Sequence, residues 1–396
     1  GLTSRVHQGE IARRLSPDVP TLAELLREAG YQTFSATNNL WVTARSGLDR
    51  GFDRRRFPPQ DRRMAASMVV NVLQPLGVMR SAGDKLVGSF RRWLRHTHEP
   101  WFALLWLNDA HHPYVCPREF LQRFQTRPLS RSRLLSLAQR MRRPRNFAVT
   151  ATAEDLQDVQ ALCTGATAYV DSLVGELMAT LAHRCVAEET LLVVVSDHGD
   201  MLGEHGLVGH GAPSGVYQPL IHVPLIVRGP GFTGGGVCPA LVQHTDVTQT
   251  LAAAAGVADR LPATAGERPD LLAALRGQGR EAAICEREKL GARSLARNRE
   301  DAPGFDFDRF DCHMAAVIAD DWKLIACDNG HSELYHLRDD PDEAHDVLSA
   351  HPEQAAALRT RLDAFRTRCH PHAAPDDLSA EDEVILDRRL EDLGYL

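Results

Sequence analysis

Short apolar runs alternate with amphipathic segments over the first two thirds of the chain. The runs 101–107 and 190–196 are apolar at consecutive positions, which is typical of strands covered by helices on both faces. Further strands are predicted over 31–37 and 222–228, and apolar residues recur at helical spacing over 170–181. Strands that alternate with helices predict an α/β domain with a mostly parallel central sheet.

The pattern changes after Gly277, where short strand candidates replace the long apolar runs. They precede a terminal helix predicted over 352–366, and they lie at 282–286, 315–318 and 323–326. We therefore predict two domains. Residues 1–276 would form the α/β catalytic domain, and residues 277–396 a small C-terminal α+β subdomain with short antiparallel strands and a terminal helix.

Two segments between the strands are harder to place. Seven arginines fall between Arg127 and Arg145, with prolines that limit any helix, so 120–150 is predicted to be an exposed, solvated insertion. A helix over 246–255 is predicted to be capped by Asp246, because Gln249 follows three residues later.

Composition narrows the classes of function. The chain has 396 residues, 43% of them hydrophobic and 24% charged, which is ordinary for a globular protein. A net charge of −7 provides no field that would attract nucleic acid. No apolar run approaches the roughly 20 residues of a membrane span. The eight cysteines include no CxxC pair, so a zinc knuckle is not predicted.

The most informative motif is Asp197-His198-Gly199, directly after the strand 190–196. Ligands of open α/β sheets bind beyond the carboxyl ends of the strands, and an adjacent carboxylate and imidazole can bind one cation together. The alternative is that Asp197 caps a turn and His198 is a core histidine. Four histidines in one short segment favour a metal or anion site, and they are His198, His205, His210 and His222.

A second polar loop, Asp109-Ala-His111-His112-Pro-Tyr114, follows the strand 101–107. An imidazolium at His111 could hold an anionic oxygen or protonate a leaving group. Taken alone, this loop favours the other interpretation, a loop histidine beside a turn-forming proline with no catalytic role.

Together these motifs resemble the sulfatase family, and the resemblance covers nearly the whole chain. The matching segments, in family order, are FALLWLNDAHHPYVCP, ETLLVVVSDHGDMLGEHGLVGHG, VPLIVRGPG, HTDVTQTLAAAAGV and ELYHLRDDPDEAHDVLSAHPE. The resemblance implies an alkaline-phosphatase-like three-layer sandwich. It also implies a sulfuric ester hydrolase that acts on a small-molecule or glycan sulfate ester.

Carried over residue by residue, the resemblance implies that Asp197 and His198 bind one divalent metal, with Ca²⁺ expected and Zn²⁺ or Mn²⁺ as alternatives. It implies that His111 binds the sulfate group and assists protonation of the leaving group. His210 stands where many sulfatases place a lysine that touches the transferred group, so His210 is a further catalytic and substrate-binding candidate. A histidine attracts an anion by charge only when protonated, so anion affinity is expected to fall as pH rises.

Two departures from the family pattern matter for function. The Gly-Lys-Trp-His-like run of many sulfatases is replaced by a segment around Asn38, Asn39 and Leu40, which leaves the choice between sulfate and phosphate esters open. In addition, the Cys-x-Pro/Ser-x-Arg motif that supplies the formylglycine nucleophile is absent. The opening Gly1–Gly9 resembles the stretch just downstream of that motif. An N-terminal truncation is therefore expected, and the fragment is expected to be inactive.

Two rival interpretations remain open at this stage. One is a phosphodiesterase, phosphatase or phosphoglycerol transferase of the same superfamily, with two transition metals and with Asp109 or His112 as extra ligands. The other is a sulfatase-like binding protein that has lost catalysis.

Overall fold

A computed structural model describes residues 15–39, 46–56, 82–98, 100–114, 116–210, 214–262, 269–289 and 292–368. The stretch Gly1–Gly9, which resembles the segment downstream of a nucleophile motif, lies outside these ranges. The described residues fall into two compact units. The first unit contains Ala23–Thr190 and Leu202–Gly209, and the second contains Leu191–Met201 and the described residues up to Leu22 and from His210 onward.

A three-stranded parallel sheet forms the centre of the first unit. Its strands are β1 (Gln32–Thr37), β2 (Arg54–Arg56) and β3 (Trp101–Trp106), in the order β2-β1-β3. The predicted strands at 31–37 and 101–107 are therefore confirmed. The helices of this unit are α1 (Leu22–Glu28), α2 (Ala82–Leu94), α3 (Arg118–Leu121), α4 (Arg131–Met141), α5 (Pro144–Thr150) and α6 (Ala153–His183).

Helix α6 is the longest element of the first unit, with 31 residues. It begins at a capping box, in which the Thr152 hydroxyl accepts from the Asp155 backbone N–H and the Asp155 carboxylate accepts from the Thr152 N–H. The sequence pattern predicted only its C-terminal half. Its buried face supports one hydrophobic core with the sheet and α2, through Val159, Leu162, Ala166, Tyr169, Leu173, Leu177 and Leu181.

The arginine-rich segment is a pair of helices, α4 and α5, that packs on α6. Leu137, Met141 and Phe147 lie in the core, so the prediction of a solvated insertion was wrong. The reason is that the arginines on the inner face have carboxylate partners: Arg133 and Arg140 pair with Asp155, and Arg127 pairs with Asp158. Other arginines of the segment stay exposed, so a strongly basic segment can still bury its apolar face.

The second unit begins with an antiparallel strand pair. Strand β4 (Leu192–Val195) pairs with β7 (Leu225–Arg228), with Leu192 opposite Arg228 and Val195 opposite Leu225. Both strands were predicted. Their antiparallel pairing differs from the mostly parallel sheet that the sequence pattern predicted. The short strands β5 (Met201–Leu202) and β6 (Val208–Gly209) lie between them in the chain.

Two short helices and two longer ones follow in the second unit. Their ranges are α7 (Gln218–Ile221), α8 (His244–Ala254), α9 (Leu271–Leu275) and α10 (Ala292–Asp301), and a single turn, α11 (Phe307–Phe310), comes after them. Helix α8 begins two residues before the predicted cap. Gln243 is its N-cap, and Asp246 is the third helical residue that completes a capping box with it. The prediction of Asp246 as the cap was therefore wrong.

A four-stranded antiparallel sheet closes the second unit, in the order β11-β10-β9-β8. Its strands are β8 (Ala283–Arg287), β9 (Met314–Ala319), β10 (Trp322–Cys327) and β11 (Ser332–His336), and α12 (Pro352–Arg368) packs on it. Three of the four strands and the terminal helix were predicted.

A domain boundary at residue 276 stays a prediction. Among the described helices, none combines the length and apolar character needed to cross a bilayer.

Candidate active site

The Asp197-His198-Gly199 turn begins where β4 ends. Ser196 continues the pairing through its N–H to Pro224 O at 3.3 Å, and its hydroxyl donates to His198 O at 2.6 Å. Asp197 accepts from the His198 N–H at 3.1 Å. These local bonds fold the chain back and leave the Asp197 side chain 47% exposed at the end of the strand.

The ring of His198 is oriented by its own backbone neighbour. Its Nδ1 donates to Gly199 O at 2.9 Å, which places the proton of the neutral imidazole on Nδ1. The other nitrogen, Nε2, lies 3.6 Å from Oδ2 of Asp197. A carboxylate oxygen and an imidazole nitrogen therefore face the same space at the carboxyl end of β4.

Gly199 lets two backbone segments approach each other closely. Its N–H donates to Leu220 O at 2.9 Å, and a Cβ at this position would lie only 2.0 Å from Pro219 O. Backbone atoms cannot withdraw as the end of a flexible side chain can. Glycine is therefore needed here for the close approach of the two backbone segments.

We expect Gly199→Ala to displace the Asp197-His198 turn and to cost about 1–3 kcal/mol of unfolding free energy. Urea unfolding and metal titration of the variant measure the two effects. Gly175→Ala is a matched control, because a Cβ at Gly175 in α6 meets nothing within 4 Å. That control should be neutral or slightly stabilising. Equal behaviour of the two variants would contradict the proposed steric requirement.

His198, Asp200 and His210 form a cluster in the second unit. The two imidazole rings have centroids 3.8 Å apart, and His210 Nδ1 donates to Asp200 Oδ1 at 2.5 Å. The potential ligand atoms of all three lie within 4.8 Å of one another. Sequence reasoning identified His198 and His210 but missed Asp200. The one feature that could have pointed to Asp200 is its position beside Gly199, two residues after His198.

The pair of His210 and Asp200 is well shielded from solvent, with side chains 6% and 11% exposed. A hydrogen bond to a carboxylate in such surroundings fixes the ring plane and keeps a proton on Nδ1. The Nε2 atom is then the nitrogen that could donate to an anion when it carries a proton, or bind a cation when it does not.

In the first unit, His111 lies in the loop that follows β3. A 3-10 turn, Asn108–Ala110, leads into it, and the ring of His111 stacks on that of His112 with centroids 4.3 Å apart. Its Nδ1 donates to His112 O at 2.6 Å. Asp109 is buried and accepts from the Gly83 N–H at 3.4 Å, in the first turn of α2. Asp109 therefore contacts the first turn of that helix.

The Gly-Glu-His-Gly segment forms a tight turn. Glu204 accepts from the Leu202 N–H at 2.5 Å, and Gly203 and His205 both adopt positive φ, at 123° and 53°. The Glu204 carboxylate therefore helps to shape this turn. His205 occupies the left-handed region that few non-glycine residues adopt.

Solved structures with the same fold are hydrolases. A phosphonate monoester hydrolase of Agrobacterium radiobacter aligns with a TM-score of 0.67 over 93% of this chain and 84% of its own, at 20% identity. A 2-O GAG sulfatase aligns with a TM-score of 0.62 over 92% of this chain and 78% of its own, at 19% identity. The predicted α/β, alkaline-phosphatase-like fold is confirmed.

Sequence comparison identifies the family. The sulfatase family model matches residues 3–257, and the chain belongs to the sulfatase family. The choline-sulfatase of Rhizobium meliloti is 26% identical across 97% of this chain and 77% of its own length. The uncharacterized sulfatase YidJ of Escherichia coli is 26% identical over 255 residues, which are 63% of this chain. The chain spans only 47% of the length of that relative.

Proposed function

We propose that this protein is a sulfuric ester hydrolase in which Asp197 and His198 hold one divalent cation at the carboxyl end of β4. The observation that carries the proposal is the 3.6 Å separation of Asp197 Oδ2 and His198 Nε2, in a chain of the sulfatase family. Relatives named as a choline-sulfatase and as a 2-O GAG sulfatase support a small-molecule or glycan sulfate ester as substrate.

The two donors fit a metal ion. Ligand atoms at about 2.0–2.6 Å from one cation lie roughly 3–4 Å apart when the angle between them is near 90°. Asp197 Oδ2 and His198 Nε2 have that spacing, and the Nδ1 bond of His198 presents the bare Nε2 of the neutral ring. A bound cation would act as a Lewis acid on a sulfate oxygen. We propose Ca²⁺, with Zn²⁺ or Mn²⁺ as alternatives for a site that includes imidazole.

His210 and His111 are the proposed contacts to the sulfate group. Asp200 orients the ring of His210 through Nδ1, and the carbonyl of His112 orients the ring of His111 in the same way. In each case a protonated Nε2 would donate to a sulfate oxygen, and His111 would also protonate the leaving alcohol. The Cys-x-Pro/Ser-x-Arg motif that would supply a formylglycine nucleophile is absent from the sequence.

One observation favours a second candidate, hydrolysis of a phosphate or phosphonate ester. Asp200 and His210 add an oxygen and a nitrogen ligand beside His198, and two-metal phosphoryl enzymes require such further ligands. Asp109 and His112 stay predictions as extra ligands of this candidate.

Parallel assays decide between the two functions. Full-length protein is expected to hydrolyse an aryl sulfate, with little turnover of a phosphate monoester or diester, and to contain one calcium ion by elemental analysis. A chelator should lower turnover at least about 100-fold, with recovery after Ca²⁺ addition. Two zinc or manganese ions together with phosphodiester turnover would instead establish phosphoryl chemistry.

A further inference from the structure

The Asp197-His198-Gly199 turn contacts a segment that has little regular structure of its own. Gly199 donates to Leu220 O, and Leu220 lies in α7, a helix of only four residues. So short a helix has no stability in isolation. Its position therefore depends on the contacts made by its N-terminal end, at Tyr217 and Gln218.

Glu343 holds Gln218 from within a fully buried ion pair. Its Oε2 accepts from the Gln218 N–H at 2.5 Å, while Oε1 pairs with Lys323 of β10. Both side chains are 0% exposed. Burial lowers the pKa of Lys323, and the charge of Glu343 opposes that shift. Burying both charges carries a large desolvation free energy. We therefore expect this ion pair to fix one geometry of the residues around it.

Glu333 of β11 holds the neighbouring residue, Tyr217. The Tyr217 hydroxyl donates to Glu333 Oε2 at 2.8 Å, and Arg309 donates to Oε1 at 2.7 Å. Burial alone would raise the pKa of Glu333, but hydrogen bonds from His331, Arg309 and Tyr217 lower it to about 2. Glu333 is therefore an anion at every physiological pH and remains an acceptor for Tyr217.

A separate link reaches the other side of the turn. His244, the first residue of α8, donates through Nε2 to Ser196 O at 2.7 Å. The preceding residue, Gln243, donates through its side-chain amide to Ile284 O of β8 at 2.7 Å. Lys323, Glu333 and Ile284 lie on three strands of one sheet, so all three links lead from that sheet to α7 or to Ser196.

We propose that the C-terminal four-stranded sheet positions the metal-binding turn, with Glu343 as the principal positioning residue. The Glu343 carboxylate fixes Gln218, α7 then presents the Leu220 carbonyl, and that carbonyl fixes Gly199 beside Asp197 and His198. The part of this inference that concerns metal affinity rests on the proposed function. The part that concerns the order of the turn does not.

Two matched double variants test the inference. Lys323→Met/Glu343→Gln and Lys323→Met/Glu343→Leu both remove the buried charge pair and have similar volumes. Only the first keeps an oxygen that can accept from the Gln218 N–H. Because buried ion pairs can be replaced by apolar residues without loss of stability, both variants should fold.

Hydrogen exchange of the segment 196–200 is the first readout, and divalent-metal affinity is the second. The Leu variant should show exchange of the Gly199 amide at least about tenfold faster than the Gln variant, and metal affinity about 10–100-fold weaker. Tyr217→Phe, which removes a single donor to Glu333, should shift both readouts in the same direction by a smaller factor.

Leu362→Ala provides the control for general destabilisation. Leu362 is buried between α12 and the C-terminal sheet and belongs to none of the three links. That variant should melt at a lower temperature with the exchange of Gly199 unchanged under native conditions. Equal exchange and equal metal affinity in the Gln and Leu variants would overturn the proposal. If the parent protein bound no metal, the proposed function would fail, and the exchange comparison would still decide the positioning role.

Discussion

Replacing Asp197 with alanine is expected to eliminate the bound cation and to lower turnover of a sulfate ester at least about 100-fold in the full-length protein. The physical reason is that this carboxylate supplies the negative charge in the proposed pair of ligands. Its half-exposed side chain makes only one local hydrogen bond among those described, from the His198 N–H. Its loss should therefore change metal binding far more than it changes folding.

Elemental analysis, turnover and urea unfolding of the same preparation separate these effects. Asp171→Ala is a matched control, because Asp171 is an exposed carboxylate on α6. The control should retain metal, turnover and stability. If Asp197→Ala retained its metal and its activity, the assignment of the site would be wrong. If it lost stability as well as metal, Asp197 would act as a structural cap, the alternative that the sequence left open.

Replacing Asp155 with alanine is expected to cost about 3 kcal/mol of unfolding free energy at pH 7. Asp155 is 2% exposed, caps the first turn of α6, and accepts from Arg133 and Arg140 at 2.8 and 2.9 Å. Alanine would remove the cap and leave two guanidinium groups without that partner. The estimate is at the low end for a buried pair because both arginines retain some solvent contact.

The same substitution should have a characteristic pH dependence. Burial alone would raise the pKa of Asp155, but the Thr152 backbone N–H and the Arg140 guanidinium hold it below its ordinary value. A lowered folded-state pKa means that the carboxylate stabilises the fold above the unfolded pKa of about 3.9. That contribution is lost as pH falls through the folded pKa. The difference in unfolding free energy between parent and variant should therefore be constant near neutral pH and shrink below about pH 4.

Two further variants check the cause. Asp155→Asn keeps an oxygen that accepts from the Thr152 N–H but loses the charge, so it should lose less stability than alanine. Glu154→Ala removes an exposed partner of Arg127, and should cost no more than about 1 kcal/mol. A loss in Asp155→Ala that stayed the same down to pH 2 would show that ionic pairing is not the stabilising interaction.

The arginine-rich segment shows where sequence reasoning failed. Seven arginines in a short stretch predicted a solvated surface, because charge is normally kept in water. The structure buries Leu137, Met141 and Phe147 of the same stretch. The carboxylates that make this possible lie on a helix that begins later in the chain, so their proximity could not be inferred from local composition.

The candidate site shows both the success and the limit of the sequence. Asp197 and His198 were identified because they follow a buried strand, and a strand end is a local property of the chain. Asp200 lies only two residues after His198. It was missed because the sequence does not show which residue a lone aspartate in a loop will contact. Its significance depends on His210, ten residues later, being folded back against it.

The sequence by itself determined the alternation of strands and helices, the α/β class, the family motifs and the small antiparallel C-terminal region. Each of these follows from periodicity or from residues close together in the chain, which local physics fixes. Only the tertiary structure decided the pairing of Asp200 with His210, the anchoring of Gln218 by Glu343, and the neutralisation of the arginines by α6. These contacts join residues 10 to 125 positions apart, and their free energies depend on burial that exists only after the chain has folded.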